Sequence, residues 1–407
     1  MDTGSTAFIL ICSAMVCLMT PALAFFYGGL GRRKNVINTM MMSVLPLAIA
    51  SLLWVVAGYS LSFGGQGYFF GNISHLFLHG VSETTSSRGL AITDLLFSAF
   101  QMMFSIICVA ILTGSVVGRM RFTPLAIFIV FWLLLVYYPF AHMVWGDGIL
   151  VKWGTIDFAG GDVVHITSGV LAIVVRKRRD YGILEHRPHN VPFVLLGASL
   201  LWFGWFGFNA GSALAPNGLA VHALVTTHFS AAAAMFSWLA LEKYVTGHPT
   251  LVGASTGLVA GLVAITPGAG FVSIWSSILI GAMVSPVCFY AISVLKKRTN
   301  YDDALDVFGC HGVGGIFGGL CTAVFTTPNL ALDKANFGLI YGNARLFVVT
   351  VLAIVFTVTW SGLVTYGIIK VIGHYIPLRV SDRDEAIGLD DCEHKETAYP
   401  TFMGMDS

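Results

Sequence analysis

The chain has 407 residues, of which 56% are hydrophobic and only 11% are Asp, Glu, Lys or Arg, with a formal net charge of +1. A soluble globular protein has about 25% charged residues, so this chain cannot cover a water-exposed surface of the expected size. The composition indicates a polytopic membrane protein and excludes a disordered chain, a disulfide-rich secreted domain and a basic nucleic-acid-binding protein.

Apolar segments of membrane-spanning length follow one another along the whole chain. About 20 apolar residues cross the hydrocarbon core of a bilayer. Such segments lie at residues 7–30, 37–62, 92–117, 122–142, 161–175, 191–209, 219–242, 250–267, 271–295, 307–325 and 346–372. The first begins close to Met1 without a preceding basic region, so we interpret it as a retained span and not as a cleaved signal peptide. The sequence therefore predicts an all-α polytopic membrane protein with eleven transmembrane helices.

The basic residues indicate the orientation of these spans. With eleven spans, 18 of the 22 Lys and Arg residues fall on one side of the membrane, and the C-terminal tail lies on that side. The other four are Arg88, Lys152, Lys334 and Arg345. Because cytoplasmic loops carry the excess of Lys and Arg, we predict that the N-terminus is outside and the C-terminus cytoplasmic.

Two similar motifs predict an internal repeat. Asp157-Phe-Ala-Gly precedes His165 in the fifth span, and Asp306-Val-Phe-Gly precedes His311 in the tenth. Five spans per repeat is an odd number, so the two repeats would be inverted relative to each other, with a substrate path at their interface. We predict a transmembrane domain at 1–372, with repeats at about 7–175 and 191–325 and a final long helix at 346–372, followed by a tail at 373–407.

His165 and His311 are ionisable residues inside membrane spans, where such residues are costly and usually functional. A single histidine of this kind more often forms a hydrogen bond with a neighbouring helix. Two histidines at matching positions of an inverted repeat would approach one axis, where a neutral pair can share one proton. The pair could relay a proton or line a path for a neutral polar molecule. We expect no metal site, because no third ligand is near in sequence.

Three carboxylates stand close to these histidines in sequence. Asp157 could bind a cation directly, but we favour a cap on the fifth span that attracts cations only through its charge. Asp306 is interpreted as the equivalent cap of the tenth span. Asp162 is interpreted as a residue of the first helical turn.

Aromatic residues near the predicted outer surface form a third group. Trp145 lies just beyond the fourth span, Phe104 is in the outer half of the third, and Phe208 and Ser212 end the sixth. An interfacial anchor explains a single Trp. Aromatic faces with a hydroxyl group can also hold a small cation without a carboxylate.

One motif of hydrolytic enzymes is rejected. Gly253-Ala-Ser-Thr-Gly257 fits the GxSxG pattern but lies within an apolar span with no strand before it. Gly253, Gly257 and Gly261 are instead spaced as in helices whose backbones approach closely.

Taken together, these residues resemble the ammonium transporter family (Amt/MEP/Rh), and the Amt branch fits better. The motifs are Phe25-Phe-Tyr-Gly-Gly-Leu30, Ala141-His-Met-Val-Trp-Gly146, Asp157-Phe-Ala-Gly-Gly161 with Val164-His165, Trp205-Phe-Gly-Phe-Asn-Ala-Gly-Ser212, Ile265-Thr-Pro267, Asp306-Val-Phe-Gly309 with His311, Leu378-Arg-Val380 and Gly388-Leu-Asp390. The chain departs from the family pattern at Met102, Met103, Asp147 and Lys395, none of which belongs to the pore set.

The resemblance implies a role for each site residue. Phe104, Trp145 and Ser212 would recruit ammonium on the outer side, with Asp157 in support. Phe104 and Phe208 would form a gate of stacked rings, and His165 and His311 would line the pore behind it. Ammonium, or its analogue methylammonium, would lose a proton at the gate and cross as ammonia. Both ammonia alone and ammonia with a co-transferred proton are compatible with this path.

The resemblance also implies partners and a location. Family members are homotrimers in the cell membrane (plasma or inner) with one pore per subunit and no cofactor, and many bind a PII-type regulator (GlnK) on the cytoplasmic face. The tail holds eight of the 21 acidic residues and cannot fold alone. It is either solvated or docked as a regulatory element on the basic inner loops, and the family motifs within it favour docking. The candidate basic partners are Arg32, Arg33, Lys34 and the cluster Arg176 to Arg179.

Two other classes of function were considered. An intramembrane enzyme lacks a credible nucleophile and a metal motif. A sensor would bind ammonium and signal through the tail with little flux. A tail of this length has no room for a signalling domain but can recruit one, so measurement of flux separates a sensor from a transporter.

Overall fold

The computed structural model describes residues 1–174, 188–299, 301–331 and 336–399. Within these ranges the regular structure is helical, and only two isolated bridges pair extended residues. The long helices are α1 (Thr3–Leu30), α2 (Arg33–Phe63), α3 (Asp94–Thr113), α4 (Phe122–Trp153), α5 (161–174), α6 (Val191–Gly211), α7 (Gly218–Thr246), α8 (Leu251–Ile265), α9 (Ile274–Thr299), α10 (Phe308–Phe325) and α11 (Ala344–Tyr375).

Each predicted span corresponds to one of these helices. In the described part of the chain, nine helices have both the length and the hydropathy to cross a membrane. The other two are α8, which has 15 residues, and α5, which is interrupted near Val170. The predicted all-α polytopic fold is confirmed.

The starts of many helices are fixed by side-chain caps. A polar side chain just before the helix accepts a hydrogen bond from a backbone N–H of the first turn, which would otherwise have no partner. The cap and the donor are Asp2 and Ser5, Thr93 and Leu96, Asn190 and Phe193, Thr250 and Gly253, and Ser273 and Ser276. These caps explain why several predicted boundaries differ from the observed ones by only a few residues.

The glycines of α8 let this helix pack closely against α7. A Cβ atom at Gly257 would lie 2.5 Å from the Cβ of Trp238, and one at Gly261 would lie 2.5 Å from the Cβ of Ala234. Larger residues at these two positions would force the helices apart. The predicted packing role of these glycines is confirmed.

The described part of the tail docks on the loop between α3 and α4. The Arg121 N–H donates to the Leu378 carbonyl at 2.9 Å, and the Val380 N–H donates to the Arg119 carbonyl at 3.0 Å. Asp302, which is 2% exposed, forms ion pairs with Arg119 at 2.7 Å and with Arg379 at 3.6 Å. A carboxylate between α9 and α10 therefore joins that loop to the tail.

The tail continues onto the N-terminal end of α2. The Leu389 N–H donates to Asn35 Oδ1 at 2.9 Å, and the Asn38 N–H donates to Asp390 Oδ1 at 2.8 Å. Lys34 donates to the Ala386 carbonyl.

Lys34, one of the predicted basic partners of the tail, therefore contacts the tail from the start of α2. Arg33 lies 5.5 Å from the centroid of the Tyr399 ring, so it too contacts the tail. The other predicted cluster, Arg176 to Arg179, lies outside the described residues.

Candidate functional site

The two histidines meet at the centre of the helical bundle. Nδ1 of His311 lies 3.3 Å from Nδ1 of His165, and the ring centroids are 5.3 Å apart. The residues are 4% and 0% exposed, respectively. With both rings neutral, one Nδ1 donates the shared proton and the other accepts it. Among the described residues, no three His, Cys, Asp or Glu side chains are grouped as a metal site would require.

Both histidines lie in π-helical turns, at Gly161–Ile166 in α5 and at Phe308–Gly312 in α10. The two helices touch through glycine just beyond these turns. A Cβ atom at Gly169 would lie 2.5 Å from Cα of Gly312, so no side chain fits between the backbones. This close approach brings the two imidazole rings into contact.

Asp157 holds the start of α5. Its Oδ1 accepts hydrogen bonds from the N–H groups of Gly160 and Gly161 at 2.8 and 2.6 Å. Its Oδ2 accepts from Asp162 and Val163 at 2.8 and 3.3 Å. The side chain is buried, and all four bonds orient the backbone that leads to His165.

The equivalent residue before α10 is Asp303, and the assignment of this cap to Asp306 is wrong. Asp303 is 1% exposed and accepts from the N–H groups of Val307 and Phe308 at 3.0 and 2.8 Å. The Asp306 carboxylate turns away from the helix and forms an ion pair with Lys296 at 2.5 Å. Asp303 precedes these two donors by four and five residues and reaches both, whereas the Asp306 side chain contacts Lys296 on α9.

The repeat register therefore differs from the motif alignment by three residues. Asp303 precedes His311 by eight positions, and Asp157 precedes His165 by eight positions. This shared spacing was the sequence signal for Asp303, and the Asp-x-x-Gly motif obscured it.

Aromatic rings connect the histidines to Trp145. The Phe104 ring lies 4.3 Å from the Phe208 ring and 5.8 Å from the Trp145 ring, measured between centroids. The indole N–H of Trp145 donates to the Asp157 carbonyl at 2.9 Å, which fixes the plane of the ring. Phe104 and Phe208 are each 1% exposed, and they complete a chain of ring contacts from Trp145 to His165.

Sequence reasoning assigned no role to Trp205, which packs on the first histidine. Its indole lies 5.4 Å from the His165 ring at an interplanar angle of 19°. Its N–H donates to Thr266 Oγ1 at 2.8 Å, which fixes the ring from the side of α8. The Phe208 ring lies 6.2 Å from the His165 ring and 5.5 Å from the Trp205 ring, so the three rings form one cluster. Trp205 begins one of the quoted family motifs, which was the available signal.

A cavity of about 260 Å³ opens in front of the aromatic rings, and we call it the first vestibule. Its described lining residues are Arg88, Leu90, Phe97, Gln101, Phe104, Trp145, Phe158, Ser212 and Leu214. The Ser212 hydroxyl donates to the Phe208 carbonyl at 2.9 Å, and its oxygen lone pairs remain available as acceptors. All three residues predicted to recruit a cation therefore line one cavity.

A second cavity, of about 230 Å³, reaches the other side of the histidine pair. We call it the second vestibule. Its lining includes Cys310, His311 and Asp306, and it is bordered by the tail residue Glu385. The histidines thus lie between two cavities, and the Phe104–Phe208 pair separates them from the first.

Comparison with known proteins gives a consistent family assignment. The family model described as Ammonium Transporter Family matches residues 7–399. An ammonium transporter of Bacillus subtilis (strain 168) is 44% identical over 407 residues, covering 99% of this chain and 100% of that protein. The crystal structure of Saccharomyces cerevisiae Mep2 has a TM-score of 0.87 at 32% identity, covering 94% of this chain and 88% of that chain. A solved structure described as a sensor Amt protein has a TM-score of 0.88 at 28% identity, covering 96% and 98% of the two chains.

Proposed function

Because this chain belongs to the ammonium transporter family, we propose that it carries ammonium nitrogen through the path formed by the first vestibule, the aromatic pair and the two histidines. The observation that supports this most directly is the 3.3 Å contact between His165 and His311, buried between two vestibules. The first vestibule would face the outside, and the second would face the cytoplasm.

Recruitment would depend on aromatic faces and one hydroxyl. Trp145 and Phe104 present rings to the first vestibule, and each cation–π contact is worth about 0.5–2 kcal/mol. Ser212 adds a hydroxyl oxygen that can accept a hydrogen bond from an ammonium N–H group. Both carboxylate oxygens of Asp157 are already bonded to backbone N–H groups, so Asp157 would support the site through its charge and not as a direct ligand.

Deprotonation would provide the selectivity. The passage beyond Phe104 and Phe208 is apolar, and an ion without water there costs several kcal/mol or more. Ammonia avoids this cost, and the histidine pair offers it a nitrogen donor and a nitrogen acceptor. Potassium has no proton to lose and would stay in the first vestibule. The proton itself could return outside or follow along the histidines.

Assembly and regulation belong to the same proposal. The chain would form a homotrimer in the plasma or inner membrane, with a separate pore in each subunit and the N-terminus outside. The docked tail and the adjoining loops would form the cytoplasmic surface for a PII-type regulator. The contact of Glu385 with the second vestibule supports a route from tail to pore.

A sensor function is the second candidate, and the likeness to a sensor Amt protein favours its consideration. A transporter and a sensor would share the first vestibule but differ in net flux. Electrode-based measurement of ammonium-induced current, or radiotracer uptake of methylammonium, in proteoliposomes separates them. Saturable flux supports transport, whereas binding without flux would contradict it.

The recruitment step has its own test, the substitution Trp145→Leu. Loss of the indole face should raise the half-saturating methylammonium concentration by about 2- to 30-fold, the range that 0.5–2 kcal/mol represents. Trp275→Leu is the matched control, because Trp275 is 77% exposed and lies outside the vestibule. Unchanged half-saturation in Trp145→Leu would refute the proposed recruitment site and leave this residue as an interfacial anchor.

A further inference from the structure

The first vestibule has a positively charged wall, which is unexpected for a site that recruits a cation. Arg88 is the one charged side chain among its described lining residues. Its guanidinium carbon lies 4.9 Å from the centroid of the Phe63 ring and 5.1 Å from that of the Phe97 ring. One guanidinium nitrogen donates to the Phe63 carbonyl at 2.9 Å.

These contacts fix the charge in place. To leave the vestibule, the Arg88 side chain would have to lose its contacts with both rings and its hydrogen bond to the carbonyl. The Phe97 ring also lines the vestibule, so Arg88 occupies an aromatic face that a substrate cation could otherwise use.

A second basic residue on the predicted outer side of the membrane can be compared with Arg88. Lys152 lies 4.8 Å from the Tyr68 ring and is exposed, and it does not belong to the vestibule lining. An aromatic partner alone therefore does not require a cation to face the vestibule.

Asp94, the first residue of α3, does not neutralise Arg88 by direct contact. The Asp94 oxygens accept from the Ser87 N–H at 3.0 and 2.9 Å and from its hydroxyl at 3.1 Å. No ion pair between Asp94 and Arg88 within 4 Å is found in the described residues. Arg88 therefore places a fixed positive charge at the vestibule wall.

We infer that Arg88 determines which cations occupy the first vestibule, by repelling each in proportion to its charge. This inference rests on the proposed recruitment site. A monovalent ammonium ion tolerates the repulsion because the rings and the Ser212 hydroxyl offset it. A divalent ion meets twice the repulsion and carries a stronger hydration shell, so it is excluded. Weak occupancy also helps release, because an ion held tightly would not give up its proton and move on.

The size of the effect follows from Coulomb's law. Two unit charges about 8 Å apart, at an effective dielectric between that of a protein surface and that of water, change an equilibrium constant by about three- to tenfold. For a divalent ion at the same place, the equilibrium constant changes by the square of that factor, about ten- to a hundredfold. Screening shortens the reach of the charge to about 3 Å at 1 M salt, so both effects should shrink there.

The test uses the full-length protein in proteoliposomes with Arg88→Gln and Arg88→Met, the latter retaining apolar contact with the two rings. Both should lower the half-saturating methylammonium concentration about three- to tenfold at low ionic strength. Inhibition by Mg²⁺ should strengthen by about the square of that factor. Arg88→Lys should keep wild-type values, and Lys152→Gln is the matched control for loss of a positive charge outside the vestibule.

Each outcome is decisive. Equal factors for methylammonium and Mg²⁺, or a shift that persists at 1 M salt, would assign Arg88 a packing role and overturn the inference. Wild-type values in both neutral variants would overturn it as well. If Trp145→Leu shifts half-saturation while the Arg88 variants do not, recruitment stands and this inference fails. If Trp145→Leu has no effect, the proposed recruitment site itself fails.

Discussion

Asp303 and Asp306 stand three residues apart in one loop, and the structure predicts very different costs for removing them. Asp303→Ala takes away the acceptor of two backbone N–H groups at a buried site. A buried donor left without a partner costs about 1–3 kcal/mol. Asp306→Asn removes an ion pair whose side chains are 21% and 34% exposed, and such a pair is worth about 0–1 kcal/mol. Asn is used here because it tolerates the left-handed φ of 59° at this position.

The assay for this pair has a structural and a functional readout. Thermal unfolding in detergent, followed by tryptophan fluorescence, should show a clearly lower midpoint for Asp303→Ala and little change for Asp306→Asn. Methylammonium uptake should fall in Asp303→Ala, because the first turn of α10 carries His311. Asp303→Asn retains one acceptor oxygen and should recover part of both. An Asp306→Asn variant as unstable as Asp303→Ala would refute the assignment of the cap.

Three further predictions concern the pore, the tail and pH. His165→Ala and His311→Ala should each abolish selective transport, and the double variant should add little, because the two rings act as one unit; full selective activity in either single variant would exclude the shared-proton pair. Deletion of 381–407 should leave trimers assembled but weaken PII-type regulator binding or alter flux, and wild-type behaviour in both would contradict a regulatory tail. Burial is the main cause that raises the pKa of Asp303 from 3.8 to about 7. Ionisation of this carboxyl in the folded protein therefore lowers the stability, and this loss is absent below about pH 4 and grows towards pH 7. The unfolding temperature of Asp303→Asn minus that of the wild type should therefore rise between about pH 4 and pH 7. A difference that stays constant over this interval would contradict the raised pKa.

Hydropathy predicted the number and order of the helices because lipid imposes a simple length requirement on each span. The same requirement says nothing about hydrogen bonds at the ends of helices. The motif favours Asp306 as the cap. The residue that caps the helix is decided, however, by which carboxylate reaches the first N–H groups and by where Lys296 lies. Both depend on the tertiary structure.

The candidate site was predictable in its residues but not in its arrangement. The histidines and the aromatic rings were identified by type and place, whereas the stacking of Trp205 on His165 needed the positions of α5 and α6.

The residue type at position 147 is explained by the local backbone conformation. Its φ of 66° lies in the left-handed region, where Gly is unstrained and Asp is among the better tolerated residues. Asp147 therefore meets a backbone requirement that most other side chains would meet only with strain.

Because both histidines lie in π-helical turns, the number of residues in each turn matters as much as their identity. A π-turn holds one residue more than an α-helical turn, so loss of one residue from Gly161–Ile166 would restore a regular helix. Residues on one side of the deletion would then rotate by about 100° and shift by about 1.5 Å relative to the other side. His165 would leave His311 while the sequence still contained both histidines. A relative with a one-residue gap in either turn should therefore be expected to have a different pore, even if every named side chain is retained.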